Sequence, residues 1–304
     1  MNKIFIIILI FSLVNNCSFN SKSKFWTQEK NIKQESKNSK KKDLFKLENT
    51  LQKELNPNLK IKLVKTKLIY NETNKNNNNI NRYSGNPKKI SKFNFSKIKY
   101  FDQYEPEIIF EEENLIFFDN KGTIIKFNKN SDLIWKKNFY TNQEKKNNPF
   151  LFFSRHKNIL VVVDSISKYY AIDIFSGKLI WSFYNDAPFI SDVKIENNKI
   201  FVVDSNNILK SFSLKDGSLI WEYNSDSSTI KSSKKISIAI HKGKVFFNNS
   251  IGDINAVDIN TGNLIWITPT ANKQHLIQPY LFKISDLVVQ DNSILFSNNN
   301  NEFF

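Results

Sequence analysis

The stretch YAIDIFSGKLIW, residues 170–181, decides the fold, because it returns as LKSFSLKDGSLIW (209–221) and INAVDINTGNLIW (254–266). The tripeptide Leu-Ile-Trp occurs four times, ending at Trp135, Trp181, Trp221 and Trp266, at intervals of 46, 40 and 45 residues. Four residues before the tryptophan stand Ser131, Gly177, Gly217 and Gly262. Eight before stand Phe127, Asp173, Ser213 and Asp258, and ten before stand Ile125, Ala171, Ser211 and Ala256. Side chains alternate in character with the two-residue period of a strand. The glycine falls where a tight turn between two strands needs a positive φ, as in a type I turn closed by a bulge. Ser131 replaces that glycine in the first copy, so its turn is expected to be looser or differently shaped.

Two further apolar runs precede each copy. The nearer are LIFF (115–118), ILVVV (159–163), IFVV (200–203) and VFF (245–247); the earlier are EIIF (107–110), FLFF (150–153), VKI (193–195) and SIAI (237–240). Four short strands in a unit of 40–46 residues is the arithmetic of a propeller blade. Each tryptophan is expected on an outer strand, packed against the next blade, where a large rigid side chain buries about 150–250 Å². Helical repeats would need a 3.6-residue period, and a sandwich has no reason to repeat a tripeptide. The reading is an all-β chain, an incomplete β-propeller over residues 90–304 with full blades at about 105–140, 141–185, 186–225 and 226–270 and a partial blade at 271–304. In the partial blade, SDLVV (285–289) and SILFS (293–297) match the first two strands, and Glu302-Phe303-Phe304 would begin a third. ISKFNFSKIKY (90–100) reads as the outer strand of a preceding, incomplete blade. Such a count points to a truncated sequence; a ring of four or five blades is the other reading.

The N-terminus reads as an export signal, residues 1–16. Lys3 gives a basic start, and Ile4 to Val14 is apolar apart from Ser12, long enough for a signal-peptide core and well short of the ~20 residues of a membrane-spanning helix. Cys17 follows where cleavage would fall. This resembles a bacterial lipoprotein signal, which makes Cys17 the expected lipid attachment site, although Asn15 and Asn16 replace the usual small residues. A plain secretory signal with an incidental cysteine is the competing reading. Acyl chains on Cys17 would hold the protein at a membrane, each buried CH₂ contributing ~0.8 kcal/mol; Ser18 after the cysteine, by the same resemblance, implies the outer membrane. Residues 17–89 read as a basic, polar, largely disordered tether, with a short amphipathic helix around Leu44, Leu47, Leu51 and Leu55 and a low-complexity loop NETNKNNNN at 71–79.

Charge follows the same division. The net charge is +15, yet Cys17 to Tyr104 holds 21 Lys+Arg against 7 Asp+Glu, while Glu105 to Phe304 holds 22 of each. The cations sit in a polar stretch with few aromatics and only two arginines serve the chain, so no nucleic-acid partner is expected. One Cys, three His and one Met leave little material for a multi-Cys zinc site or haem, and no metal or cofactor is expected. No GxSxG, HExxH or phosphate-binding glycine loop is present. Asp173 and Asp258 recur with the repeat and read as hairpin residues accepting backbone N–H bonds. Glu111-Glu112-Glu113 reads as a solvated turn, and His156, His241 and His275 fall at different repeat positions. No catalytic residue is assigned, and the chain reads as a non-enzyme.

The run of apolar strand, Ala-x-Asp, glycine turn and tryptophan resembles the pyrroloquinoline-quinone-type β-propeller repeat. With the lipoprotein-like start, the whole resembles the BamB-type lipoproteins of the β-barrel assembly machinery. That resemblance implies a non-catalytic, lipid-anchored scaffold on the periplasmic face of the outer membrane, with the barrel-inserting subunit as partner. A quinone-linked dehydrogenase shares the repeat but uses adjacent cysteines and a Ca²⁺ site; here Cys17 stands alone in the export signal. A soluble periplasmic or envelope propeller binding another protein or a glycan is the third reading. Inter-blade loops 136–149, 182–191, 222–235 and 267–283 are the candidate contact surfaces. Phe183, Phe189, Tyr223 and Tyr280 are candidate interface aromatics, with blade packing as their alternative role.

Overall fold

A computed structural model describes residues 77–79, 92, 107–226, 234–270 and 285–297. All belong to a unit spanning Leu63–Phe304; a separate unit, Met1–Lys62, lies outside the described residues. The expected signal, Cys17, the Leu44–Leu55 helix and all of the 90–100 strand except Lys92 also lie outside them.

Apolar runs of four to six residues bounded by turns pair with their immediate neighbours. Blade one comprises β1 (Ile109–Glu111), β2 (Asn114–Phe118), β3 (Ile124–Phe127) and β4 (Leu133–Lys137). Blade two comprises β5 (Leu151–His156), β6 (Ile159–Asp164), β7 (Lys168–Asp173) and β8 (Leu179–Tyr184). Blade three holds β9 (Lys194–Glu196), β10 (Lys199–Val203), β11 (Ile208–Ser213) and β12 (Leu219–Asn224), and blade four β13 (Ile238–His241), β14 (Lys244–Asn248), β15 (Asp253–Asp258) and β16 (Leu264–Pro269). A fifth, two-stranded sheet pairs β17 (Val288–Gln290) with β18 (Ser293–Leu295). Each four-stranded sheet is an antiparallel meander in chain order. The first strands adjoin in sequence, β1 by β5, β5 by β9, β9 by β13 and β13 by β17. The sheets therefore stack like propeller blades, first strands along the axis and fourth strands at the rim.

Burial follows from that stacking. Middle strands pack between blades and are mostly buried, as in ILVVVD of β6, where five of six residues are buried and all but Asp164 are apolar. Fourth strands face solvent, as in LIWSFY of β8, where Trp181 alone is buried. The tripeptide itself is explained by a β-bulge. Trp181 stands opposite Ala171 and Leu179 opposite Ile172, so Ile180 is an extra residue in the outer strand. Ile134, Ile220 and Ile265 are extra in the same way. The bulge leaves leucine and isoleucine outward and turns the indole in.

Blade one departs from the pattern. Trp181, Trp221 and Trp266 stand opposite Ala171, Ser211 and Ala256, but Trp135 stands opposite Lys126. Ile125, found by counting ten back, is thus not the equivalent residue; the β3–β4 turn is one residue shorter. Gly177, Gly217 and Gly262 donate their N–H groups four residues back, to Asp173, Ser213 and Asp258, whereas Ser131 donates three back, to Asn128. The turn is differently shaped, although Ser131 keeps a positive φ of 73°.

Candidate functional site

Three regions can meet a partner: the rim seams between blades, the inter-blade loops, and the axis. At each seam the same chemistry recurs. Trp135 Nε1 donates to Ile174 O (3.3 Å), Trp181 Nε1 to Leu214 O (3.1 Å) and Trp221 Nε1 to Ile259 O (3.3 Å), each acceptor lying in the following blade. The indole then lies against the glycine three residues further on. A Cβ on Gly177 would come within 3.1 Å of Trp135, on Gly217 within 2.8 Å of Trp181, and on Gly262 within 2.7 Å of Trp221. The glycine is therefore required twice, for a φ of 67–76° and for the ring above it. Trp266 borders a cleft of about 220 Å³ lined by Phe246, His241, Val289 and Ile294.

Lys126 puts a charge into the first seam. Its Nζ lies 2.7 Å from Glu111 Oε2, both side chains 3% exposed, and donates to Ile174 O across the seam at 3.1 Å. Glu111 is accordingly buried, which corrects its reading as part of a solvated turn; Glu112 and Glu113 do form an exposed turn. Asp173 Oδ1 accepts from Ser176 N–H, and Asp258 Oδ1 from Asn260 and Thr261 N–H, local hairpin bonds throughout.

A second set of Asp and Asn side chains recurs that the tryptophan spacing does not reveal. Oδ1 of Asp119, Asp164, Asp204 and Asn249 accepts backbone N–H groups two and four residues on, closing the turn between second and third strands. The signal was present as Asp/Asn at intervals of 45, 40 and 45 residues. Asp164 is also met by Tyr140 Oη at 2.6 Å, and burial raises its carboxyl to about 6 against these hydrogen bonds.

The first inter-blade loop carries α1 (Asn142–Lys146), started by a capping box between Thr141 and Glu144. Glu144 accepts from Tyr184 Oη (2.8 Å) and lies 3.5 Å from Lys168 Nζ, which donates to Phe139 O and sits 5.1 Å from the Tyr140 and Tyr184 rings. Partial burial opposes its charge, but the Thr141 N–H, the Tyr184 hydroxyl and Lys168 hold its carboxyl down at about 2. The loop is thereby fixed to blade two. Among the candidate aromatics, Phe189 is fully buried against Tyr169, Tyr223 is half-buried with its hydroxyl on Asn255, and Phe183 is 44% exposed; Tyr280 lies outside the described residues.

The axis gathers charges that no motif announced. Lys235 Nζ lies 2.6 Å from Asp192 Oδ1 and 3.6 Å from Glu107 Oε1. Burial raises Glu107 to about 7, against the pull of Lys235 and aided by Asp192. Burial also opposes the Asp192 charge, but Lys235 and Lys194 hold its carboxyl at about 2. Asp286 is raised by burial and by Asp192. These groups neutralise one another. Among the described residues no set of three His, Cys, Asp or Glu side chains is placed to hold a metal ion, and no helix is long and apolar enough to cross a membrane.

The crystal structure of BamB from Moraxella catarrhalis superposes with a TM-score of 0.53 at 15% identity, covering 66% of this chain and 61% of that one. The quinohaemoprotein alcohol dehydrogenase ADHIIG of Pseudomonas putida HK5 superposes with a TM-score of 0.51 at 11% identity, covering 65% of this chain and 39% of the enzyme. The chain thus spans about three-fifths of the first structure and two-fifths of the second, and both likenesses show the fold alone. No curated protein sequence matches. The family model described as outer membrane protein assembly factor BamB matches residues 116–304, more than half of the chain. By that match, carried on a propeller of tryptophan-sealed blades, the chain belongs to the BamB family of β-propeller proteins.

Proposed function

We propose that the chain is a non-catalytic scaffold of outer-membrane protein assembly, held at the periplasmic face of the outer membrane through acylated Cys17 and binding the barrel-inserting subunit. The family match over residues 116–304 carries this reading. The chemistry of the described residues supports it: the recurrent carboxylates close turns, and the buried axial charges are spent on each other. What the blades leave for a partner is surface, including the exposed Leu-Ile pairs of the rim and Phe183. The test is affinity capture of tagged full-length chain from membranes of a host carrying the assembly machinery. Recovery of the barrel-inserting subunit, lost when Cys17→Ala releases the chain from the membrane, is the expected result. Capture without that subunit, or pyrroloquinoline-quinone-dependent dye reduction by the purified chain, would overturn it.

A further inference from the structure

The low-complexity asparagine run reaches the axis of the propeller. Asn77 O accepts the Ile240 N–H of β13 at 2.7 Å, and its carboxamide donates to Ile195 O of β9 at 2.8 Å and to Glu196 Oε2 at 3.2 Å. Asn78 O accepts the Val289 N–H of β17 at 3.0 Å. Asn79 Nδ2 donates to Ile238 O (2.9 Å) and Leu287 O (2.8 Å), with Ser237 Oγ at 3.5 Å, while its Oδ1 accepts Lys194 Nζ at 2.6 Å. Three consecutive blades therefore share one short turn of chain.

The contacts select for this residue type. Both amide hydrogens and the oxygen of Asn79 are engaged, a set that a carboxamide alone can meet. A carboxylate has no hydrogen for Ile238 O and Leu287 O, and an alkyl group offers nothing to Lys194, which is 4% exposed. Asn79 also stands at φ 61°, a region that asparagine enters more readily than most residues. The receiving edges match one another: Ile238 O with Ile240 N–H, and Leu287 O with Val289 N–H, are each a residue and its second neighbour on one strand edge. Such an edge is what an added strand recognises.

We propose that the axis is a binding site for an asparagine-bearing turn of polypeptide, a neutral ligand offering two backbone carbonyls and two carboxamides, and that Asn77–Asn79 fills it in cis. Occupancy couples blades three, four and five. A vacated seat takes the same turn from another polypeptide. This inference is independent of the barrel-assembly role, since it uses the geometry of β9, β13 and β17 alone.

The test uses the full-length chain carrying Asn77→Gly and Asn79→Ala, with a fluorescein-labelled peptide of residues 73–82 as probe. Anisotropy should show saturable binding to the variant and at least about tenfold weaker binding to the unaltered chain, whose own segment competes at high effective concentration. A peptide bearing Asn79→Asp should not bind. Amide exchange at Ile240 and Val289 should speed up at least about tenfold in the variant and slow again on peptide saturation. Equal binding to both chains, no binding to the variant, or unchanged exchange would overturn the proposal. Should the variant fail to fold, exchange in the unaltered chain decides: protection of both amides is expected, and its absence would sink the assignment.

Discussion

The rim and the axis of this propeller solve the same problem, joining one blade to the next, by opposite means. At the rim one unit is copied: an indole over a glycine, with its N–H on a carbonyl three residues before that glycine. At the axis one strand position is kept and its chemistry varied. Three residues before Phe110, Ile195 and Val289 stand Glu107, Asp192 and Asp286; the equivalent positions of blades two and four hold Phe152 and Ser237. Acids in alternate blades thus face a common centre around Lys235. Repetition makes each rim seam self-sufficient, whereas the axial groups are mutually dependent, since a buried carboxylate is tolerable only beside its counter-charge.

The largest effect is expected where a charge intrudes on the rim. Lys126→Met leaves Glu111 buried without its partner, which costs about 3–5 kcal/mol. Changing Glu111→Leu as well should recover most of that loss, because apolar replacement of both members of a buried pair is often neutral or better. Urea unfolding of the single and double variants measures both. A single variant as stable as the parent would show that the first seam does not rest on the pair.

Gly262→Ala tests the copied unit. Alanine at φ 75° costs about 1–2 kcal/mol, and overpacking against Trp221, 2.7 Å from the new Cβ, adds about 1–3 kcal/mol. Gly243→Ala is the matched control: φ is 73° but nothing lies within 4 Å, so only the conformational part should appear. Equal losses at the two sites, read as thermal midpoints, would remove the indole from the explanation.

The same contrast explains what the sequence could show. Tryptophan and glycine recur because each seam needs the identical pair, so spacing alone located the blades and their outer strands. Counting ten back from Trp135 reaches Ile125 and not Lys126, because the shortened turn at Ser131 shifts the count only in blade one. The turn carboxylates Asp119, Asp164 and Asp204 were legible but eclipsed by the louder tripeptide. The axial set was not. The distance from a tryptophan to the next axial position is 17, 11, 16 and 20 residues, because the inter-blade loops differ in length, and the residue there changes from Phe to Asp to Ser to Asp. Nor did composition distinguish Asn79, whose described partners Lys194, Ser237, Ile238 and Leu287 all lie more than a hundred residues away, from the asparagines around it.

Titration sharpens the axial side. Glu107 is raised from 4.5 to about 7 by burial, so the folded chain holds a proton that the unfolded chain has already lost. Its contribution is therefore full below about 4.5 and is lost as pH rises through about 7. Asp164, raised to about 6, acts in the same direction. Asp192, held at about 2 by Lys235 and Lys194 against its burial, contributes above its ordinary value of 3.8 and is lost as pH falls through about 2. Stability should thus decline from about pH 5 to about pH 7.5, and Glu107→Gln, which keeps a donor toward Asp192, should flatten that decline while Asp164 retains a part. Urea midpoints against pH measure the slope; parallel profiles for the two chains would detach Glu107 from it.

The smallest change returns to the rim at its one irregular copy. Ser131 holds a φ of 73° that glycine occupies in the other three turns, and among the described residues its side chain reaches Lys92 O at a long 3.4 Å. Ser131→Gly relieves the left-handed strain but loosens the unfolded chain, and the two terms oppose one another. Removing the Cβ penalty of about 1–2 kcal/mol outweighs the added chain entropy of about 0.5–1 kcal/mol. A gain of a few tenths to about 1 kcal/mol is expected in urea unfolding. The β3–β4 register should not move with it, since Lys126 faces Trp135 through a missing residue and not through the identity of residue 131. Insertion of one residue beside Ser131 should likewise restore the turn length of the other blades with Lys126 still opposite Trp135, and retained cross-strand contacts between that indole and Lys126 in solution spectra would report it.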